Sequence, residues 1–542
     1  MGKKKQRGGV GNNPPTAAKT GSSRSAKDAK STASSDSSSN TSIGAFLAIL
    51  LGLPFCTLKV LVWSIVGIPF WILTLALLPI CGGRPPTLQS WSQSWRFLTK
   101  HTWGASTLPN SRKAFLTLAV LEHTIKSPIF AFCWIIDEIL YGRQLNKVKL
   151  GASNTENDGN EGGIDMVFVV SAYRSASTHL ARSLVEEEYI SESLSLVSPN
   201  SMMMSVPYLW IWNLVTWFVG DMKETNEETT SGKKREGEVP SMHPTLSKAE
   251  VRKWSREKYS KECLERHDFD PFLIDTLDLS FLSCHLNGLV WEYCFASKSP
   301  EVVRKEFHSA KYTPENKQLY EVDFCQHIDR LARKTVLFHR NYEQESNATK
   351  TAVLFKGHFL SIVPSLQHKY PAAKFITVLR DPCDRLKSAI NYTAVNPSIS
   401  GSMDRRKQDH WKVLAATLEE IEAEYCLEEL KTFDSNDPKE ERFLAIHYDA
   451  LATPSRQADT ISSVQGWLLG TTKGPANASS DGKRSSGEKS AASTTSKKTK
   501  KTKRYMVDKT LHEVGIDETA YQSRLEDYIA YVKGVGTGEK IA

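Results

Sequence analysis

The 542-residue chain has nine cysteines but no CxxC pair and no Cys/His cluster at metal-ligand spacing, which argues against a zinc site. It has no GxxxxGK[ST] stretch, so the Lys and hydroxyl that a nucleoside-triphosphate loop offers to phosphate and magnesium are missing. It has no internal repeat, which sets aside solenoids and propellers. Outside two tails it also lacks positive charge. Residues 1–42 hold eight Lys/Arg against two acids and residues 471–504 hold ten against two, giving +6 and +8, so the rest of the chain carries −6 of the net +8. Ser/Thr/Gly-rich tracts of this kind bury no core. They read as solvated spacers, so no nucleic-acid partner is expected.

Long apolar runs are scarce too, with one exception. Ile43 to Ile80 is almost wholly apolar, broken by Lys59 and a few small polar residues. As one straight helix it would be about 57 Å long, against a bilayer core of about 30 Å. It is therefore either one span with an interfacial extension or a hairpin bending near Pro54 to Lys59. The single-span reading puts the anchor at Val60 to Ile80 with Lys59 snorkelling to the interface. A cleaved signal peptide fits poorly, because the polar leader and the apolar run are both too long. The positive-inside bias puts the N-terminus in the cytosol. One span then makes a type II protein with a lumenal domain, in the Golgi or another endomembrane, whereas a hairpin leaves the domain cytosolic. Phe115 to Leu140 is also apolar but contains Glu122, His123, Lys126, Asp137 and Glu138, so it is expected as an interfacial or packed helix.

The domain organisation follows: a disordered basic tail over 1–42, a membrane anchor over 43–81, juxtamembrane helices and a linker over 82–163, and a globular domain over 164–533 with a low-complexity insertion at 471–504. Cys56, Cys81 and Cys133 lie in or near apolar N-terminal segments. Cys263, Cys284, Cys294, Cys325, Cys383 and Cys426 are compatible with up to three disulfides or with reduced core thiols. N-x-S/T acceptors occur at Asn347, Asn391 and Asn477, with Asn391 expected to be inaccessible.

Within the domain, short apolar strands alternate with helical patterns. The strands are expected at Met166–Val170, Ala352–Phe355, Phe375–Leu379 and Phe443–His447. The helices are expected at Ser177–Glu188, Leu319–Arg340, Asp384–Tyr392, His410–Leu430, Ser455–Leu468 and Glu518–Val532. Apolar strands without alternation, separated by helices, predict an α/β fold: a P-loop-like central parallel sheet flanked by helices. Ligands on such sheets bind at the carboxyl ends of the strands.

Two strand ends carry anion-binding features. After Met166–Val170 comes SAYRSAST, with Arg174 and the hydroxyls of Ser175, Ser177 and Thr178 opening a helix. After Phe375–Leu379 comes RDPCDRLKS, with Arg380 at the strand end, Pro382 at a helix N1 position, Asp381 or Asp384 as cap, and Ser388 two turns on. Helix N-termini offer free N–H groups and partial positive charge, and Arg offers a bidentate fork. Each stretch alone also reads as an ordinary capped helix with a solvated Arg. A third element, expected between them in the fold, is Lys356-Gly357-His358 at the end of its strand, with the Gly allowing close backbone approach. Three cationic strand ends on one sheet favour a ligand with phosphates at both ends.

These residues resemble the sulfotransferase superfamily, which uses 3′-phosphoadenosine 5′-phosphosulfate (PAPS). SAYRSAST resembles the family's [K/R]SG[T/S]T loop, implying that Arg174, Ser175, Ala176, Ser177 and Thr178 line the 5′ site. RDPCDRLKS matches the RxPxDxxxS element for the 3′-phosphate through Arg380 and Ser388. Lys356 and His358 match the KxH strand end of cytosolic members, whose His is the catalytic base. RYMVDKTLHEVGID, near the C-terminus, resembles the family's closing nucleotide-contacting segment faintly. The resemblance implies metal-free, in-line sulfuryl transfer to a hydroxyl or amine of an acceptor such as a carbohydrate, with His358, Lys356 and Arg174 catalytic. Some membrane-bound members use a Glu after the first helix, which keeps Glu192, Glu186, Glu187 and Glu188 as alternative bases. Two glycines of the pattern are replaced, by Ser171 and Ala176. The alternative is an inactive sulfotransferase-fold membrane protein serving as an interaction module.

Overall fold

The computed structural model describes residues 110–151, 164–185, 194–219, 247–257, 259–285, 324–342, 350–396, 405–434, 442–471 and 508–537, with residues 95 and 98–103 and six positions between 65 and 76. The basic tail, nearly all of the expected anchor, the linker at 152–163, the insertion, Glu186 to Glu188 and Glu192 lie outside the described residues. Among the described residues no helix is long and apolar enough to cross a membrane.

Five strands form one parallel sheet: β1 (Asp165–Val170), β2 (Leu194–Val197), β3 (Lys350–Gly357), β4 (Lys374–Leu379) and β5 (Phe443–His447), in the order β2-β3-β1-β4-β5. The central strand is β1, so β3 lies beside it rather than between the two phosphate-type turns as the sequence reading had it. Both faces of the sheet are covered. Phe168, Phe355 and Phe375 point into one core, and Val167, Val169, Leu354, Ile376 and Val378 into the other. Alternate residues therefore face opposite layers, and both layers are apolar, which is why the strands read as unbroken hydrophobic runs. On the first face the register sets Phe355, Phe168, Phe375 and Phe443 side by side across four strands. Their ring centroids are 6.1, 5.4 and 5.2 Å apart in that order, within the range of favourable aromatic pairs.

The helices that bear on the site and its surroundings are α1 (Asn110–Lys147), α2 (Ser177–Val185), α3 (Leu209–Val219), α4 (Asp278–His285), α5 (Cys325–Tyr342), α6 (Pro382–Val395), α7 (Gln408–Asp434), α8 (Pro454–Leu469), α9 (Glu518–Arg524) and α10 (Glu526–Thr537). Helices α2 and α8 cover one face of the sheet, and α5, α6, α7 and α10 contribute to the other. The single helix expected over Glu518–Val532 breaks at Leu525, where α9 ends and α10 begins. Cys133, Cys263, Cys325, Cys383 and Cys426 are buried thiols outside any disulfide. Of the six cysteines open to disulfide pairing, the four whose side chains are described, Cys263, Cys325, Cys383 and Cys426, are thus reduced core residues. Asn391 is buried, its amide held by the carbonyls of Lys387 and Lys509, so that sequon is inaccessible as expected. Asn347 and Asn477 lie outside the described residues.

Helix α1 is packed onto the domain through Asp137 and Glu138. Asp137 and Lys334 of α5 are fully buried with 2.7 Å between Oδ2 and Nζ. Asp137 also accepts from the backbone N–H groups of Leu209 and Trp210, so it caps α3. Glu138 pairs with Arg330 of α5 at 2.8 Å. Two of the charges that argued against a membrane span, Asp137 and Glu138, therefore turn inward, toward cations of α5. Breaking one side of a buried pair strands the other charge. Asp137→Ala is expected to destabilise the fold by about 3–5 kcal/mol in denaturant unfolding. The double change Asp137→Leu/Lys334→Met should recover most of that loss.

Candidate active site

The three cationic strand ends meet at one edge of the sheet. The register pairs Val170 with Gly357, so the loop after β1 and Lys356-Gly357-His358 emerge side by side. The turn after β4 reaches the same loop from the other flank. Arg380 Nη1 donates to the Arg174 carbonyl at 3.0 Å, and Arg174 Nε donates to Ser388 Oγ at 3.1 Å. The Arg174 guanidinium also lies 4.8 Å over the Tyr392 ring and donates to the Arg266 carbonyl. Tyr392 and Ser388 both belong to α6, four residues apart, so they share one face of that helix.

Local sequence explains each turn. Asp381 accepts from the N–H groups of Cys383 and Asp384 and caps α6, with Pro382 in its first turn. Of the two cap candidates the structure selects Asp381, which leaves Asp384 in the first helical turn. In the loop after β1, Arg174 (φ 65°) and Ala176 (φ 72°) are in the left-handed region. Alternation of positive and negative φ turns successive N–H groups toward one side, the arrangement that makes anion-binding nests. Ala176, where the family pattern has Gly, accepts the glycine-type conformation at a cost of about 1–2 kcal/mol. Ser171, the other replaced glycine, is buried and serves as a brace: its Oγ accepts from Val378 N of β4 at 2.8 Å. Gly357 is required by close approach, since a Cβ there would stand 2.2 Å from the Phe359 ring.

Two buried polar atoms at this place have no protein partner: Ser175 Oγ and Arg380 Nε. Such orphans are costly unless a ligand or water satisfies them. One lies in each phosphate-type turn, so the residue set fits an anionic ligand contacted by both. Ser177 and Thr178 open α2 beside Ser175.

Lys356 and His358 are buried and touch, with 3.1 Å between Nζ and Nε2. His358 Nδ1 stands 2.7 Å from the Ser171 carbonyl, which can only accept, so Nδ1 carries the proton and Nε2 the lone pair. Burial, then the neighbouring Lys356 charge, pull the His358 pKa down to about 4. The Lys356 pKa is lowered as well, chiefly by burial. Asp275 lies close by. Burial alone would raise its pKa, but His267, Lys356 and Arg182 outweigh that and hold the carboxyl below the usual carboxylate range.

Sequence reading missed the residues that hold these groups in place. Asp278, at the start of α4, accepts from His358 N at 3.0 Å, and Tyr425 of α7 donates to the His358 carbonyl at 2.8 Å. Behind the turns, Arg385 of α6 is fully buried against Glu422 and Glu429 of α7 at 3.0 and 3.1 Å. Glu429 also accepts from Ala172 N, at the root of the first loop, from the Thr377 hydroxyl of β4 and from the Tyr528 hydroxyl. No sequence signal marks Arg385 as buried. Its partners lie far along the chain, and its neighbours in RDPCDRLKS read as solvent-facing. The C-terminal segment expected to contact nucleotide comes beside α6: the Asn391 side-chain amide donates to the Lys509 carbonyl and accepts from the Lys509 N–H, and Asp508 pairs with Arg266 at 2.6 Å.

No protein-family model and no curated protein matches the sequence. Among solved structures, the chain is similar to sulfotransferase STF1 from Mycobacterium tuberculosis H37Rv, with a TM-score of 0.42 and 13% identity over 74% of this chain and 88% of that one. It is also similar to sulfotransferase STF9 from Mycobacterium avium, with a TM-score of 0.41 and 12% identity over 81% of this chain and 96% of that one.

The depressed His358 pKa has a consequence for stability. The unfolded chain binds a proton on this residue near pH 6.5 that the folded chain refuses until about pH 4. Stability therefore falls as pH drops through that window, by roughly 3 kcal/mol at its lower end from this group. Denaturant unfolding of the wild type and of His358→Gln between pH 7 and pH 4.5 should show a shallower loss in the variant. Equal slopes would assign the imidazole an ordinary pKa.

Proposed function

We propose that this chain is a sulfotransferase that moves a sulfuryl group from PAPS to a hydroxyl or amine of an acceptor such as a carbohydrate. The observation that carries the reading is the junction of the two turns. Arg380 holds the Arg174 carbonyl and Arg174 holds Ser388, with an unpartnered buried polar atom on each side. A ligand with phosphates at both ends suits that pair of turns.

In this reading Ser175, Ala176, Ser177 and Thr178, with the loop N–H groups, take the 5′ phosphate. Arg380 and Ser388 take the 3′ phosphate, which separates this nucleotide from ATP-like ones. PAPS supplies the activated sulfuryl group. The protein's share is positioning and charge stabilisation, as in phosphoryl transfer. The acceptor oxygen forms a bond to sulfur as the bridging oxygen–sulfur bond breaks, and that electron pair leaves on the phosphate. The acceptor's proton goes to His358 Nε2, which is neutral and free of a proton near pH 7. Lys356 and Arg174 neutralise the charge that builds on the leaving phosphate. Lys356 rests on the very lone pair that must receive the proton. An anion at the loop competes for the ammonium, so nucleotide binding uncovers the base. We further propose that the apolar run before the domain holds it at an endomembrane such as the Golgi through one type II span.

Titration calorimetry with 3′-phosphoadenosine 5′-phosphate tests the reading. Binding without added metal is expected, lost in Arg380→Ala and retained in His358→Ala, which should lose turnover. Failure of the wild type to bind overturns the assignment. Binding with no turnover over a broad acceptor panel selects the inactive, interaction-module alternative. A preference for magnesium-ATP would select a kinase.

A further inference from the structure

We propose that the face formed by α1 and α3 is a docking surface for an anionic lipid bilayer, so that the folded domain itself lies against the membrane. Helix α3, LWIWNLVTWFV, carries no charge, yet only Leu209, Trp212 and Thr216 are buried. A helix apolar all round is ordinarily covered on every side. Here Leu214 and Trp217 stay exposed.

The geometry joins α3 to α1. Asp137 caps α3 at Leu209 and Trp210, and Tyr141 Oη accepts from Asn213 Nδ2 at 2.9 Å. These contacts advance together along both helices, so the two lie side by side and run the same way. Helix α5 packs on one side of that seam, through Glu138 to Arg330 and Trp212 to Phe338. At 100° per residue, Leu140 of α1 and the pair Leu214 and Trp217 of α3 fall on the opposite side. They are 56%, 44% and 47% exposed.

Charge selects the occupant. From Ile129 to Lys149 the only acids are Asp137 and Glu138, and both are spent on Lys334 and Arg330. The exposed charges of that stretch are Arg143, Lys147 and Lys149, all basic. An apolar, Trp-bearing patch beside cations, with its acids withdrawn, has the make-up of an interfacial surface on anionic lipid. The apolar run Ile43–Ile80 precedes α1 with only residues 81–109 between them. A bilayer holding that run is within reach of this face.

The test uses the full chain in phosphatidylcholine–phosphatidylserine nanodiscs, with a fluorophore at Leu140→Cys or, as control, at Val413→Cys, an exposed apolar site on α7. The unsubstituted protein serves as the labelling blank. An interfacial face sits about 5–10 Å into the headgroup boundary, so shallow doxyl lipid should quench the Leu140 label roughly twofold more than the Val413 label. Adding Trp217→Glu, at a position exposed enough to leave the fold intact, should abolish the difference while the chain stays in the disc. Equal quenching at the two sites overturns the proposal. So does failure of the chain to enter the discs. Protection of Leu140 in detergent that rises with protein concentration and doubles the mass overturns it in favour of a second copy of the chain.

Discussion

The site depends on one buried ionic knot. Arg385 projects from the inner face of α6 into a pocket walled by α7, where Glu422 and Glu429 take two of its nitrogens, Cys426 Sγ a third and Tyr528 a further contact. Burial would lower the guanidinium pKa, but these neighbours outweigh it and raise it well above its ordinary value. A charge this deep is tolerated only when every hydrogen bond is met. That requirement fixes the rotation of α6, and with it the direction in which Ser388 and Tyr392 face. Glu429 carries the constraint onward, since its other bonds go to Ala172 and Thr377. One carboxylate thus sets the helix of the second turn against the root of the first loop and against β4. The distance between the two turns is a property of this knot rather than of either loop.

The same economy governs the proton site. His358 is held from four sides: its ring by the Ser171 carbonyl and Lys356, its N–H by Asp278, its carbonyl by Tyr425. Nε2 is the ring nitrogen with its lone pair available for chemistry, and Lys356 sits on it. The low pKa of a buried imidazole beside an ammonium makes it a weak base in isolation. In the proposed reaction an incoming anion would change that balance, because negative charge near Lys356 would draw the ammonium away and raise imidazole basicity. A base that strengthened only on nucleotide binding would be protected from idle protonation.

Much of the scaffold was legible because parallel strands covered on both faces announce themselves as apolar runs. Four strands were located to within about two residues, and the three cationic strand ends followed from them. That cue failed at β2, the shortest of the five strands, where LSLV lies among Ser and Glu and is too short to show any period. The supports were illegible for a different reason. Arg385, Glu422 and Glu429 carry the charges of an exposed helix face, and nothing local marks them as buried, since their partners stand 37 and 44 residues away. Asp137 misled in the useful direction, signalling correctly that its helix packs against protein. The position of Lys334 that completes the pair needs the fold.

The two missing glycines need not disable the loop. Left-handed backbone at Arg174 and Ala176 persists only where the surroundings over-determine it. Here they do: the Arg174 carbonyl is taken by Arg380, its guanidinium by Ser388 and Tyr392, and Ser171 ties the loop root to β4. A methyl group at position 176 costs strain that the opposite turn absorbs, since the contacts holding the first loop in shape come from the second. The loop that would grip one end of the ligand is therefore shaped by the helix that would grip the other. A ligand bound at either turn would register at both.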